Sequence, residues 1–241
     1  MTTKFIKYRS LLLCGLAVLL ITAACSTKKN TFTRRAYHNV TAHYNAYWNG
    51  NESLKEGIAE LRKSARENYT SVLPVYNYGT QSNAQAINPN MDRAIEKASK
   101  VIQKHSMYFD KKEYVRWVMH SYMLIGKANF YKQDYNSAKR AFEYVSKQYS
   151  ESPVRYEALL WMGRCYKQLK QYDKAISMYE LIHSEKAELQ QPWIVRKDLP
   201  LAWADMYIAQ AKYKEAKESL VKAIPLNSNG KLRTRIYFIL G

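Results

Sequence analysis

An internal repeat of 37 residues in the second half of the chain constrains its fold more than any other feature. Four positions of one unit recur in the next at this spacing, and again after a further 41 residues. The matched sets are Gly126, Ala138, Phe142 and Val145; Gly163, Ala175, Tyr179 and Ile182; and Ala204, Ala216, Leu220 and Ala223. Repeats of roughly 20–50 residues are typical of solenoids, whose units bury their apolar faces against their neighbours. The sequence therefore predicts an all-α array of stacked units.

The order of small and aromatic residues in each unit resembles the tetratricopeptide repeat. That family carries a glycine on its first helix and Ala-x3-Phe on its second, as do Gly126, Ala138 and Phe142 here. The resemblance implies a tetratricopeptide-like solenoid with two antiparallel helices per unit. We expect these pairs over 117–132 with 135–149, 154–169 with 172–187, and 198–211 with 213–224.

Prolines and a long polar stretch mark the predicted boundaries. Because proline lacks an N–H, Pro153, Pro192 and Pro200 are expected between units rather than within helices. Upstream, apolar residues at helical spacing predict a helix over 91–105. Residues 70–90 contain proline and glycine among polar residues and predict a long loop. Its apolar and aromatic side chains should pack on the array; they are Leu73, Val75, Tyr76 and Tyr78.

Residues 236–241, with the sequence Ile-Tyr-Phe-Ile-Leu-Gly, look like the start of another first helix. Gly241 stands 37 residues after Ala204, where the next unit would place its small residue. A repeat array normally ends in a capping helix with a polar outer face. We therefore expect the array of residues 91–241 to be truncated within a repeat, and this sequence to be the N-terminal part of a longer protein.

Residues 1–24 have the pattern of a secretory signal peptide. Lys4, Lys7 and Arg9 precede an apolar run that ends in Thr22-Ala23-Ala24-Cys25, which resembles a bacterial lipobox. A cysteine at the new N-terminus can carry lipid, so Cys25 is the predicted lipidation site. The alternatives are a plain signal peptide and a short membrane anchor. The apolar run of about 14 residues is shorter than the ~20 that span a bilayer core.

Residues 25–33 follow as a polar, basic tether. Ser26 is not the aspartate that retains many lipoproteins at the inner membrane, so by analogy we expect an anchor on the periplasmic side of the outer membrane. The formal charge of the chain is +18, and it falls to +15 without Lys4, Lys7 and Arg9. Behind a signal peptide such a charge indicates anionic lipid, cell-wall polymers or acidic proteins rather than nucleic acid. A solvated basic surface is the alternative.

Ordered residues between the tether and the array resemble the mature N-terminus of the SprE/PorW-type lipoproteins of Bacteroidota. They run from Cys25 to Phe32, through Arg35-Ala-Tyr37-His38, Thr41, Tyr44-Asn45 and Asn49-Gly50, to Leu54 and Gly57. The family also carries tetratricopeptide repeats and is associated with type IX protein secretion and gliding motility. The resemblance implies a scaffold that joins protein components of that machinery. Residues 34–90 are expected to form an N-terminal hairpin, with its turn at Asn49-Gly50, and a long loop.

Two groups of side chains are candidate partner-binding sites. The first helices line the inner side of a tetratricopeptide array. When the repeats are aligned, helical spacing places Lys127 beside Tyr131 and Arg164 beside Lys167 on that side. These side chains could receive a carboxylate or an acidic loop, or they could be solvated positions on a basic protein. The second group is an aromatic cluster that forms either a docking face or the filling of the first core layer: Tyr37, Tyr44, Tyr47 and Trp48.

The sequence offers no catalytic or metal-binding pattern, so we expect neither an enzyme nor a bound cofactor or small-molecule substrate. His38 and His43 are five residues apart and would diverge by roughly 140° on a helix. The remaining histidines are scattered, and Cys165 lies in an apolar helical stretch, where it reads as a small buried residue. The predicted function is a membrane-anchored scaffold. A cationic lipoprotein that binds peptidoglycan or another glycan is the alternative, and steep salt dependence would distinguish it.

Overall fold

The computed structural model describes residues 27–183 and 191–241. The predicted signal peptide, Cys25 and the end of the helix predicted over 172–187 lie outside these residues. The part that is described is mainly helical and contains one short β-ribbon, in which Tyr108–Phe109 (β1) pairs with Lys112–Glu113 (β2).

The helices stack in sequence order as packed antiparallel hairpins, which confirms the predicted all-α repeat solenoid. The first unit pairs α5 (Arg116–Tyr131) with α6 (Tyr135–Gln148), the second α7 (Val154–Gln168) with α8 (Tyr172–His183), and the third α9 (Trp193–Ala209) with α10 (Tyr213–Ala223). The others are α1 (Phe32–Thr41), α2 (Trp48–Ser64), α3 (Gln81–Ala86), α4 (Asn88–His105) and α11 (Gly230–Leu240).

The same backbone turn closes all three hairpins. The second residue after each first helix has a left-handed conformation, with φ of 63° at Gln133, 59° at Lys170 and 56° at Ala211. The next amide then donates to a carbonyl one turn back, as Asp134 N does to Asn129 O at 3.0 Å. This arrangement satisfies carbonyl groups that the end of a helix leaves unpaired. The sequence repeat is therefore also a repeat of backbone geometry.

Close contact between the two helices of a unit explains the repeated glycine. A Cβ atom at Gly126 would lie 2.5 Å from a ring carbon of Phe142, and one at Gly163 would lie 2.1 Å from a ring carbon of Tyr179. Both rings are buried and also reach the next unit, where Phe142 stacks on Trp161 and Tyr179 meets Trp203 edge-on. Only a residue without a side chain fits beneath each ring.

Pro200 corrects one predicted boundary. It lies inside α9 rather than between units, because the helix begins at Trp193, directly after Pro192. A proline at this position removes the hydrogen bond to the carbonyl of Arg196. The preceding turns nevertheless bury Val195 and Leu199 in the core, and this burial offsets the lost bond.

The turn at Asn49-Gly50, predicted for an N-terminal hairpin within residues 34–90, does not form. Helix α1, a π-helical stretch over Ala42–Tyr47 and helix α2 follow one another without a break, so Asn49-Gly50 lies inside a helix. Gly50 is buried where α2 crosses α4, and a Cβ atom there would lie 3.0 Å from Cβ of Lys97 and 3.2 Å from the carbonyl oxygen of Ala94. The glycine serves close helix packing, which a sequence reading cannot tell from a turn.

The predicted loop over 70–90 is shorter than expected. Thr80 and Asn83 form a capping box that starts α3, and α4 begins already at Asn88. The remaining loop, residues 65–80, is called the strap below. As expected, it packs on the array: Leu73 and Val75 are buried, and Tyr76 and Tyr78 are partly buried.

At the other end of the chain, α11 covers residues 230–240 and so contains most of the stretch read as the start of a further first helix. It begins six residues earlier than that stretch, with the side chain of Asn229 accepting from the amide of Leu232. Across residues 27–183 and 191–241, none of the helices has the length and apolar character that crossing a bilayer requires.

Candidate functional site: the inner face of the array

The strap crosses the first helices of the repeats one after another. Tyr78 meets Phe130 of α5, Tyr76 meets Arg164 of α7, Val75 meets Asp205 of α9, and Pro74 meets Arg235 of α11. We call the surface that these helices present to the strap the inner face. An extended segment of the chain therefore lies on the face where the sequence predicted an open groove.

Two charged side chains hold the backbone of the strap. The carboxylate of Asp205 accepts hydrogen bonds from the amides of Val75, at 3.0 Å, and Tyr76, at 3.5 Å. The guanidinium of Arg235 donates to the carbonyls of Pro74, at 2.7 Å, and Val75, at 3.0 Å, and it pairs with Glu67 at 2.7 Å. Hydrogen bonds to charged groups are shorter and stronger than neutral ones. The strap is thus fixed by its main chain as well as by its side chains.

Tyrosine rings of the strap fill the space between the first helices. Tyr78 packs edge-on against Phe130 at 4.8 Å and Tyr131 at 6.0 Å, and it stacks with Tyr76 at 5.8 Å. The guanidinium of Arg164 lies 4.7 Å from the centre of the Tyr76 ring and donates to its hydroxyl at 2.9 Å. Burial raises the pKa values of Tyr76 and Tyr78 above their usual range, so both phenols remain neutral.

The predicted cations do lie on the inner face, and each has an intramolecular partner. Lys127 pairs with Glu157 at 2.7 Å, Arg164 with Asp198 at 3.1 Å and Lys167 with Asp205 at 2.9 Å. Every pair joins one first helix to the first helix of the next unit. Burial alone would raise the pKa of the Glu157 carboxyl, but the ammonium of Lys127 outweighs burial and lowers that pKa.

These pairs correct the picture of a free receptor for a partner's carboxylate. Lys127 and Arg164 occupy equivalent places on adjacent repeats, as their spacing predicted, but their charges are already matched. The side chain of Arg164 is only 7% exposed and that of Lys167 13%. Tyr131 lines a cavity of about 490 Å³ beside the strap, which Arg62 and Lys231 also line.

The aromatic cluster on the N-terminal helix divides into two sets. Tyr37 and Tyr47 are partly buried; Tyr47 packs against the first core layers, and burial raises its pKa to about 12. Tyr44 and Trp48 remain 66% and 50% exposed. The core-filling interpretation therefore fits Tyr47, whereas the exposure of Tyr44 and Trp48 suits the docking interpretation.

A histidine pair escaped the sequence analysis because its members are 67 residues apart. Nδ1 of His38 lies 3.0 Å from Nδ1 of His105, and Thr41 Oγ1 lies 3.4 Å from the same His105 atom. His38 is buried. The pKa of His105 is lowered by the burial of its own ring and by the nearby His38 and Lys104. In another layer, burial also lowers the pKa of His120.

These shifts predict acid sensitivity. A histidine whose folded-state pKa is lowered binds protons more weakly than the unfolded chain, so stability falls as the pH drops below about 6.5. We expect the free energy of unfolding, measured with urea, to fall as the pH is lowered from 7 to 5. This range brackets the unfolded-state pKa of roughly 6.5. His105→Gln should reduce this slope while its unfolding at neutral pH remains cooperative. If the folded His105→Gln variant shows the same dependence of stability on pH, groups other than His105 cause the acid sensitivity.

The residues that the structure describes include potential metal ligands and one cysteine thiol. Within the described ranges, no three histidine, cysteine or acidic side chains come together as metal ligands. Cys165 is fully buried, and burial raises the pKa of its thiol to about 12, so it packs as a small apolar residue.

Comparison with known proteins agrees with this architecture. A family model described as tetratricopeptide repeat matches residues 157–185, which include most of α7 and α8. No curated protein matches the chain. The stacked hairpins and this match support a tetratricopeptide-like helical solenoid. Repeats of this class generally mediate protein–protein interactions and are generally non-catalytic.

Proposed function

We propose that this protein is a non-catalytic scaffold, anchored by lipid at Cys25 to the periplasmic side of the outer membrane, that joins components of the type IX secretion and gliding machinery. The repeat array carries the scaffold part of the proposal. The membrane and secretion parts rest on the signal pattern before Cys25 and on the resemblance of residues 25–57 to SprE/PorW-type lipoproteins.

The cavity beside the strap is the proposed point of partner contact. It is lined by the exposed cations Arg62 and Lys231 together with Tyr131 and Tyr78. A cavity with convergent polar groups and aromatic walls is the usual form of a binding site. An acidic segment of a partner would contact these cations without displacing the strap or breaking the ion pairs of the inner face.

Affinity capture tests this contact. Tagged, lipidated protein should retain a defined set of secretion proteins when solubilised from native membranes. Arg62→Glu combined with Lys231→Glu should abolish this capture, because both positions line the cavity. Lys63→Glu with Arg233→Glu is the matched control, since these exposed neighbours make the same charge change outside the cavity lining. Equal capture by both double variants would contradict the proposed contact.

Salt separates the scaffold from the glycan-binding alternative, which the charge of +18 favours. Binding of a polyanionic wall polymer through many exposed cations should weaken steeply as ionic strength rises. Capture through the two cations and the aromatic walls of one cavity should weaken far less, because few charges take part. The glycan-binding alternative would be favoured if the protein sediments with purified cell wall, if moderate salt abolishes this sedimentation, and if no protein partner is captured.

Cys25→Ser tests the anchor. Without the thiol no lipid can be attached, so the variant should appear in the soluble periplasmic fraction with its repeats folded. Several acyl chains hold a protein firmly because each buried CH₂ contributes about 0.8 kcal/mol. The measurement is membrane fractionation followed by a high-salt wash. A variant that remains with the membrane after that wash would contradict lipid anchoring at Cys25.

A further inference from the structure

An exposed stripe of apolar and aromatic side chains runs along the N-terminal helix. Val40, Tyr44 and Trp48 follow one another every four residues and are 57%, 66% and 50% exposed. Residues four apart are neighbours on a helix surface, so the three side chains share one side of the helix. His43 lies next to the stripe and stacks on Trp117 at 3.9 Å.

Cations accompany the aromatic rings of this region. Lys55 Nζ lies 5.6 Å from the centre of the Trp48 ring. The guanidinium of Arg116 lies 4.9 Å from the ring of Trp117, and that of Arg35 lies 4.0 Å from the ring of Tyr114. Val40 and Tyr44 of the stripe line a groove of about 480 Å³ together with Arg116 and Trp117.

We propose that this surface, the stripe of Val40, Tyr44 and Trp48 with Lys55, Arg116 and Arg35, docks on the phospholipid headgroups of the membrane that holds the anchor. Tryptophan and tyrosine rings favour the boundary between headgroups and acyl chains. Lysine and arginine beside them attract anionic phosphates. The combination matches a bilayer surface, in which apolar and anionic groups lie next to each other.

The position of the stripe in the chain points to lipid rather than to a protein partner. This inference rests on the lipid anchor of the proposed function. Phe32, the first residue of α1, is seven residues beyond Cys25. Seven residues span at most about 25 Å. A lipid on Cys25 would therefore keep the start of the helix, and with it the stripe, close to the bilayer. The stripe would orient the repeats on the membrane, whereas the lipid alone would only tether them.

Vesicle binding by the mature chain, residues 25–241 with Cys25→Ser, tests the surface without the lipid and without the apolar run of the signal peptide. We expect this protein to sediment with vesicles of phosphatidylethanolamine and phosphatidylglycerol at roughly 3 to 1, and less with phosphatidylcholine alone. Tyr44→Ser with Trp48→Ser should lower the partition coefficient about tenfold or more, which is about 1.4 kcal/mol. Both side chains are exposed, so circular dichroism should show unchanged helix content.

A matched control uses the same chemistry elsewhere. Trp193 and Tyr213 are each 54% exposed, and Arg196 lies 5.4 Å from the ring of Trp193, yet they belong to the third repeat. Trp193→Ser with Tyr213→Ser should leave vesicle binding unchanged.

Absent vesicle binding, or an equal loss in both double variants, would overturn the proposal. So would a Tyr44→Ser/Trp48→Ser variant that loses partner capture but keeps vesicle binding, because the stripe would then dock a protein. Failure of the proposed function gives a different result: no secretion partner is captured, while the vesicle measurements still distinguish the two double variants.

Discussion

Asp205→Ala should lower the free energy of unfolding by about 3–5 kcal/mol, the usual cost of leaving one partner of a buried ion pair alone. The carboxylate is 6% exposed and Lys167, its partner, is 13% exposed. The same carboxylate accepts from the amides of Val75 and Tyr76. Its loss would therefore leave a buried ammonium unpaired and also free the strap.

Urea unfolding monitored by circular dichroism measures this cost. Glu143→Ala is the matched control, because it breaks the Glu143–Lys147 pair on the surface of α6, where the side chains are 42% and 75% exposed. Exposed pairs of this kind contribute about 0–1 kcal/mol. If Asp205→Ala costs no more than Glu143→Ala, the ion pairs of the inner face do not hold the array and strap together.

Gly163→Ala should destabilise the array by about 1–3 kcal/mol through overpacking. In an exposed helix interior the same change would stabilise by roughly 1 kcal/mol, because alanine favours the helix. Here the added methyl would stand 2.1 Å from the fully buried ring of Tyr179. That ring also contacts Trp203 of the next unit, so moving it would disturb the packing between units.

Gly230→Ala is the control for this substitution. Gly230 begins α11, and no atom lies within 4 Å of the Cβ that alanine would add. Thermal unfolding should show an unchanged or slightly higher midpoint for Gly230→Ala and a lower one for Gly163→Ala. Similar midpoints for the two variants would mean that the ring of Tyr179 does not cover Gly163.

The repeat could be predicted because its residues act over short distances. Gly126 and Phe142, or Gly163 and Tyr179, lie on the two helices of one hairpin, so their spacing along the chain encodes their contact. The turns at Gln133 and Lys170 follow for the same reason. Pro200 shows the limit of this reading, because tertiary burial of Val195 and Leu199 overrides a local signal that normally ends a helix.

The strap could be predicted only in part, because its partners are distant in sequence. The apolar side chains of residues 73–78 indicated packing on the array, but no spacing rule connects Val75 with Asp205, which lies 130 residues further on. The ion pairs between repeats were missed for the same reason. Lys127 and Arg164 were recognised as equivalent positions, and their partners Glu157 and Asp198 were not.

The N-terminal helix differs from the sequence prediction because glycine has two common uses. Asn49-Gly50 has the composition of a turn, while the structure uses Gly50 for a close crossing of α2 over α4. A signal for the second use was present: the aromatic residues Tyr44 and Trp48 continue at helical spacing up to this glycine. The His38–His105 contact depends on the same crossing and so was also invisible from local patterns.

Hydrogen exchange at the amides of Val75 and Tyr76 tests most directly whether the strap closes the inner face. Both amides donate to the buried carboxylate of Asp205, so exchange should require the opening of the array itself. They should therefore exchange as slowly as the central amides of α7 and α9, and Asp205→Ala should accelerate them. Exchange at the rate of an unstructured loop would contradict a closed inner face and would restore the open groove as the place where a partner binds.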